Sequence, residues 1–254
     1  MDFTDEQLER YARHIILREV GGAGQVALLN AKVLVVGAGG LGAPLLMYLA
    51  AAGVGTIGIV DDDVVELSNL QRQVIHATPD VGKSKVESAA ESIRALNPDV
   101  TVNTYRERLT DENARALIAD YDIVADGCDN FKTRLIVSDA CVALGKTLVS
   151  AALGPYEGQL ATFKPHAGDD LPCYRCFLPE APPPEAERTC SDFGILGAVA
   201  GVVGTMQALE VLKEITGVGD SLAGKILLID ALAMTNRKIA LKPDPKCPAC
   251  GKDA

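Results

Sequence analysis

The sequence predicts an α/β protein: a Rossmann-like, mostly parallel sheet with flanking helices, C-terminal antiparallel strands and a four-cysteine zinc knuckle. Three observations lead there. The apolar, β-branched run Lys32-Val33-Leu34-Val35-Val36 enters Gly37-Ala38-Gly39-Gly40-Leu41-Gly42, so that strand, turn and helix start share one stretch. Strand-like and helix-like segments then alternate to about residue 153, the pattern of a parallel sheet with covering helices. Finally, Cys173-Tyr174-Arg175-Cys176 and Cys247-Pro248-Ala249-Cys250 are two C-x-x-C pairs about 70 residues apart.

Taken in order, Thr4 is a candidate N-cap, with Asp5 and Glu6 in the first turn and apolar residues at Leu8, Tyr11, Ile15 and Ile16. On pattern alone Arg13 on this helix reads as a solvated face, and His14 as a surface or structural residue. After the glycine turn, Leu45 to Ala52 continues as a helix and Thr56 to Val60 as a second strand ending in Asp61-Asp62-Asp63. Asp61 lies about 20 residues past the glycines, where an acid holds the ribose hydroxyls of a bound nucleotide. The polar stretch Ser68-Asn69-Leu70-Gln71-Arg72-Gln73 follows, then a helix opening at Gly82-Lys83-Ser84-Lys85 and ending at Asn97-Pro98.

Strands over 100–105 and 122–125 flank a helix over 111–119, and Asp126-Gly127-Cys128-Asp129-Asn130 leads into a helix over 131–143. In that turn Asp129 is placed either as a Mg²⁺ ligand or, with Asn130, as a helix cap. Cys128 and Cys141 read as small core residues. Strands over 147–152 and 158–163 are joined through Gly154-Pro155-Tyr156-Glu157; a proline- and acid-rich stretch then predicts a mobile crossover loop over about 178–193. A long helix over 194–216, whose small residues invite close packing, and a hairpin over 225–229 and 235–241 complete the chain.

The 254 residues suit a single domain, with a nucleotide-binding core at about 30–153 and the metal site joining 173–176 to 247–250. A formal net charge of −10 argues against a nucleic-acid partner while leaving room for a local basic pocket. The acidic start is not that of a signal peptide, and no run reaches the roughly 20 uncharged residues of a membrane span. The expectation is therefore a cytoplasmic protein whose seven cysteines are thiols or metal ligands. Four thiolates fill a tetrahedral Zn²⁺ shell and leave no open position, so Cys173, Cys176, Cys247 and Cys250 point to a structural metal ahead of a redox pair or an iron–sulfur cluster.

Three functions compete for this pocket. An NAD-dependent oxidoreductase accounts for the glycines but not for Arg72, Lys85 and Asp129 after successive strands, nor for the cysteines. An ATP- and Mg²⁺-dependent enzyme uses all of them, and a non-catalytic nucleotide sensor is the third.

The glycine turn, the 68–73 stretch, Lys85-Val86-Glu87-Ser88-Ala89, the 126–130 turn and both cysteine pairs occur in the order of the MoeB/ThiF/HesA family, bacterial relatives of the ubiquitin-activating enzymes, which the chain resembles from Tyr11-Ala12-Arg13-His14 to Gly251. The resemblance implies adenylation of the C-terminal Gly-Gly carboxylate of a ubiquitin-like sulfur-carrier protein of the MoaD/ThiS type, giving an acyl-adenylate and pyrophosphate. It places Gly37, Gly39, Gly40, Gly42, Asp61, Ser68, Asn69, Gln71, Arg72, Lys85, Asp129 and Asn130 at the ATP, with Asp129 on Mg²⁺. It also makes Arg13 a catalytic residue reaching the ATP of the other subunit of a homodimer. Cys190, after Thr189, matches a position where some members carry a persulfide or thioester. Because the sequence stops at Gly251-Lys252-Asp253-Ala254, without the rhodanese domain of some relatives, the sulfur donor is expected to be a separate sulfurtransferase or cysteine desulfurase. Molybdopterin biosynthesis is the favoured pathway, with thiamine, tRNA-thiolation and cysteine pathways as alternatives.

Overall fold

The computed structural model of the chain describes residues 3–183 and 194–251. Its strands are β1 (Lys32–Val36), β2 (Thr56–Val60), β3 (Thr101–Tyr105), β4 (Ile123–Asp126), β5 (Thr147–Leu153), β6 (Glu157–Phe163), β7 (Lys225–Asp230) and β8 (Thr235–Ala240). The helices among the described residues are α1 (Asp5–Ile15), α2 (Gly21–Asn30), α3 (Gly42–Ala51), α4 (Lys85–Leu96), α5 (Ala114–Ala119), α6 (Phe131–Leu144), the single turn α7 (Tyr174–Phe177) and α8 (Gly197–Thr216). One sheet contains all eight strands in the order β3-β2-β1-β4-β5-β6-β7-β8. The first five in that order pair parallel, and β6, β7 and β8 add antiparallel.

The apolar strands follow from burial on both faces. Val33, Val35, Ile57 and Ile59 point to the face covered by α3, α4 and α8. Leu34, Val36 and Val60 point to the face covered by α5, α6 and α7. A strand with only one covered face would have alternated with polar residues. The small residues of α8 do bring it close to α3: a Cβ at Gly204 would lie 2.4 Å from the Leu41 carbonyl oxygen. The 154–157 reversal is closed by the Gly154 N–H donating to the Glu157 carbonyl at 2.9 Å, and it switches the sheet from parallel to antiparallel.

Thr4 caps α1 as expected: its hydroxyl accepts from the Gln7 N–H, and the Gln7 side chain accepts from the Thr4 N–H, both at 3.2 Å. Two helices were not foreseen, the single turn α7 and the longer α2. Helix α2 opens Gly21-Gly22-Ala23-Gly24 and has no side-chain cap, so local propensity argues against it. Tertiary contacts supply what the sequence lacks. The buried Gln25 amide donates to the Ala52 carbonyl at 2.9 Å, and its oxygen meets His14 Nδ1 at 3.0 Å, which gives His14 its structural role. Element ends elsewhere move by a few residues: α5 starts at Ala114 because the Asn113 side chain accepts from the Thr110 N–H and closes a turn first.

Candidate active site

The strand order reverses on either side of β1, which has β2 on one side and β4 on the other, and open α/β sheets hold ligands beyond the carboxyl ends of such strands. The glycine turn sits there. Gly37 has φ +94°, and a Cβ on Gly42 would stand 1.9 Å from the Gly37 carbonyl oxygen, so the turn closes onto α3 only with glycine at that place. Asp61, at the end of β2, accepts from the Ala38 N–H at 2.8 Å and from the Asp63 N–H at 2.9 Å. Burial raises its pKa, against the opposing pull of Lys85 and of those two N–H groups.

A cleft of about 890 Å³ opens at this end of the sheet. Gly37, Gly39, Gly40, Asp61, Asn69, Arg72, Lys85 and Asp129 all line it, although they come from five separate stretches of chain. Lys85 is buried, and its ammonium lies 2.7 Å from the Asp63 carboxylate at the cleft wall. Arg72 leans back onto the Ser68 carbonyl at 3.1 Å. Asn69 accepts from the Glu66 N–H at 3.2 Å and so pins the start of the same turn. In the 126–130 turn Asn130 is the helix cap, its side-chain oxygen accepting from the Thr133 N–H at 2.9 Å, and Asp129 lines the cleft together with Gly127 and Cys128.

The remaining sequence candidates lie elsewhere. Gly42 and Asn130 shape the two turns from behind, and Ser68 and Gln71 are exposed on the segment that carries Asn69 and Arg72. Arg13 is exposed on α1 and does not border the cleft of its own chain. Cys190, with most of the expected crossover loop, lies outside the described residues.

Two parts of the site escaped the sequence reading. Beneath the 126–130 turn, Arg134 donates to the Asp126 carboxylate and to Ser150 Oγ, each at 3.1 Å, and to the Cys128 carbonyl. Burial, the largest single influence, disfavours the Arg134 charge, but the surrounding groups, Asp126 first among them, together outweigh it and hold the guanidinium protonated. An aspartate ending an apolar strand was the available signal, since a buried carboxylate requires a cation. The second part is the far wall, where two cross-strand rows, Glu157-Asp230-Thr235 and Gln159-Leu228-Arg237, face the cleft from the antiparallel strands. The buried thiol of Cys128 has its pKa pushed well up, chiefly by desolvation, which leaves it inert beside Asp129.

The four knuckle cysteines do meet. Their sulfurs lie within 4.8 Å of one another, with Cys173 to Cys247 at 3.5 Å, Cys176 to Cys250 at 3.4 Å and Cys173 to Cys176 at 3.9 Å. A tetrahedron with Zn–S bonds of 2.3 Å has edges of about 3.8 Å, so the donor set and its spacing fit zinc. The Asp244 N–H donates to Cys176 Sγ at 3.4 Å. Arg175, between the first two cysteines, grips Asp139 of α6 through two bonds of 2.7 Å. None of the four cysteines borders the cleft.

This arrangement has relatives. The ThiF family model matches residues 11–249. The chain is 49% identical over 255 residues to the sulfur carrier protein adenylyltransferase of Thermus thermophilus, covering all of this chain and 94% of that one. It is likewise 49% identical over 246 residues to the SAMP-activating enzyme E1 of Haloferax volcanii, covering 97% and 90% of the two chains. The crystal structure of Escherichia coli MccB shares the fold, with a TM-score of 0.83 at 24% identity over 99% of this chain and 74% of that one. With the family model spanning nearly all of its length and relatives sharing half its residues end to end, the chain belongs to the ThiF family.

Proposed function

We propose that this protein is an ATP-dependent adenylyltransferase acting on the C-terminal Gly-Gly carboxylate of a ubiquitin-like sulfur-carrier protein. The observation that carries the reading is the single cleft in which a glycine turn, a ribose-competent carboxylate (Asp61), two cations (Arg72 and Lys85) and a second carboxylate (Asp129) converge. The names of the two near-full-length relatives support it.

In this reading Asp61 takes the ribose hydroxyls, and backbone N–H groups of Gly39 and Gly40 at the start of α3 face the phosphates. Asn69, Arg72 and Lys85 take phosphate oxygens. A carrier carboxylate oxygen attacks the α-phosphorus, the bond from that phosphorus to the α–β bridging oxygen breaks, and pyrophosphate leaves with the electron pair. Carboxylate and polyphosphate repel, and cations placed where charge builds up offset that repulsion. The cleft also holds the two reactants together, which removes the entropic cost of their encounter from the chemical step. Asp129 is the residue to hold Mg²⁺, which favours one or two carboxylates plus substrate phosphates and supplies charge neutralisation there. The Glu157-Asp230-Thr235 and Gln159-Leu228-Arg237 rows give an extended tail a wall to lie against.

Arg13, exposed on α1 near the exposed Leu8, Ile16 and Leu17, reaches the partner's ATP in a homodimer. The cysteine cluster holds structural Zn²⁺ and ties the chain after β8 to α7. A sulfurtransferase or cysteine desulfurase converts the adenylate to a thiocarboxylate, with molybdopterin biosynthesis the favoured pathway and Cys190 the position at which a persulfide would form. ATP–pyrophosphate exchange with carriers ending in Gly-Gly, each repeated with the tail truncated, tests the reading. Exchange that requires one intact tail supports adenylation and names the pathway. No exchange with any carrier, alongside tight NAD(H) binding, returns the glycine turn to an oxidoreductase.

A further inference from the structure

Ala38 is the residue between the first two glycines of the turn, and side chains from outside hold both of its polar backbone groups. Its N–H donates to Asp61 at 2.8 Å. Its carbonyl meets the Nε2 atom of His76 at 3.1 Å. A carbonyl only accepts, so Nε2 carries the hydrogen. The other ring nitrogen, Nδ1, lies 2.8 Å from the Ser88 hydroxyl. Ser88 is on α4, almost one turn after Lys85, so the imidazole spans from the glycine turn to the helix that carries the buried lysine of the cleft. His76 and Ser88 are both buried, and neither borders the cleft.

We propose that His76 is a positioning residue for the nucleotide turn. The peptide group is planar and trans, so fixing the Ala38 carbonyl toward His76 turns the Gly39 N–H the opposite way, on the side where Gly39 and Gly40 line the cleft. A turn with glycine at 37, 39 and 40 has many accessible backbone states, and a free 38–39 peptide would have to be ordered by each arriving phosphate. His76 performs that ordering beforehand. Through Ser88 it also keeps the turn in register with Lys85, so that N–H donors and ammonium meet one polyphosphate together. This inference rests on the reading of the cleft as an ATP site but not on the adenylation chemistry.

Calorimetric titration of the full chain with ATP, without a carrier, tests it. Replacing His76→Leu removes the donor at nearly constant volume and is expected to weaken ATP binding about tenfold, the value of one positioned bond. His76→Gln keeps an N–H for the carbonyl and stays within about threefold of wild type, while Ser88→Ala, which leaves the ring unsupported at one end, falls between. In pyrophosphate exchange the His76→Leu change appears in the KM for ATP more than in kcat. Ile93→Val, a core truncation on the same helix, is the control: it lowers the melting temperature and leaves the ATP Kd unchanged. His76→Leu, or Ser88→Ala should the first variant not fold, binding ATP as tightly as wild type overturns the inference alone. A wild-type chain that binds no ATP overturns both this inference and the ATP-site reading.

Discussion

Arg134 and Asp126 form an ion pair at 3.1 Å beneath the floor of the cleft, with side chains only 6% and 1% exposed. Removing one member of a buried pair leaves the other charged and unsolvated, which costs about 3–5 kcal/mol. Arg134→Met should therefore lower unfolding stability by that amount in urea titration. Asp126→Leu added to it should recover part of the loss, since no buried charge then remains unpaired. A loss below about 1 kcal/mol for Arg134→Met would show that water reaches the site.

Asp129 stands at the exposed end of the same turn and adds only the smallest of the contributions that keep buried Arg134 charged. Asp129→Ala should abolish adenylation while the melting temperature stays within about 2 °C of wild type, as for surface substitutions generally. Near-normal pyrophosphate exchange in that variant would sink the Mg²⁺-ligand assignment.

The cysteine cluster and the cleft share no residue, so metal and nucleotide should separate experimentally. Cys250→Ser should lower bound zinc from about one per chain toward zero and reduce the melting temperature by several degrees. ATP affinity, measured below the new melting point, should change less than about threefold. Abolition of ATP binding by zinc loss in a still-folded chain would contradict the structural role.

His76 gives stability an acid limit. Burial lowers its folded-state pKa; Lys85 pushes the same way, while the Ala38 carbonyl, Asp80 and Asp61 oppose. A histidine with a depressed folded pKa contributes fully above the unfolded value of about 6.5, and that contribution is lost as pH falls through the folded one. Urea titrations at pH 7.5, 6.5 and 5.5 should show a decline below about pH 6.5 that is shallower in His76→Gln. An identical decline in both proteins would assign the acid limit to other groups.

The parts of this molecule that were legible beforehand were those with a local signature. A β-branched run before a glycine turn, an N-cap threonine and paired cysteines each state their structure within a few residues, and Gly42, Thr4 and the four knuckle cysteines behave as those patterns require. Helix α2 and the Arg134 network were not legible because their causes are distant in sequence. Gln25 is satisfied by Ala52, and Arg134 by Ser150 from the next strand. Asp129 and Asn130 form an intermediate case. Local pattern made either a cap, and only the Thr133 N–H, donating to Asn130, separates the two. The long-range wall formed by Gln159, Leu228 and Arg237 depends on strand register that no short motif encodes.

The cysteine cluster joins residues 74 apart in the chain, Cys173 with Cys247 and Cys176 with Cys250, and within that interval lie α8, β7 and β8. Closing a flexible loop of that length costs about 4 kcal/mol of chain entropy. Zinc captured early by the four thiolates would meet that cost before the hairpin docks, turning distant pairings of β6 with β7 into short-range ones. The consequence is kinetic. Refolding from denaturant should proceed faster with zinc present than after chelation, and the C-terminal strands, otherwise the last to find their places, would join the sheet early.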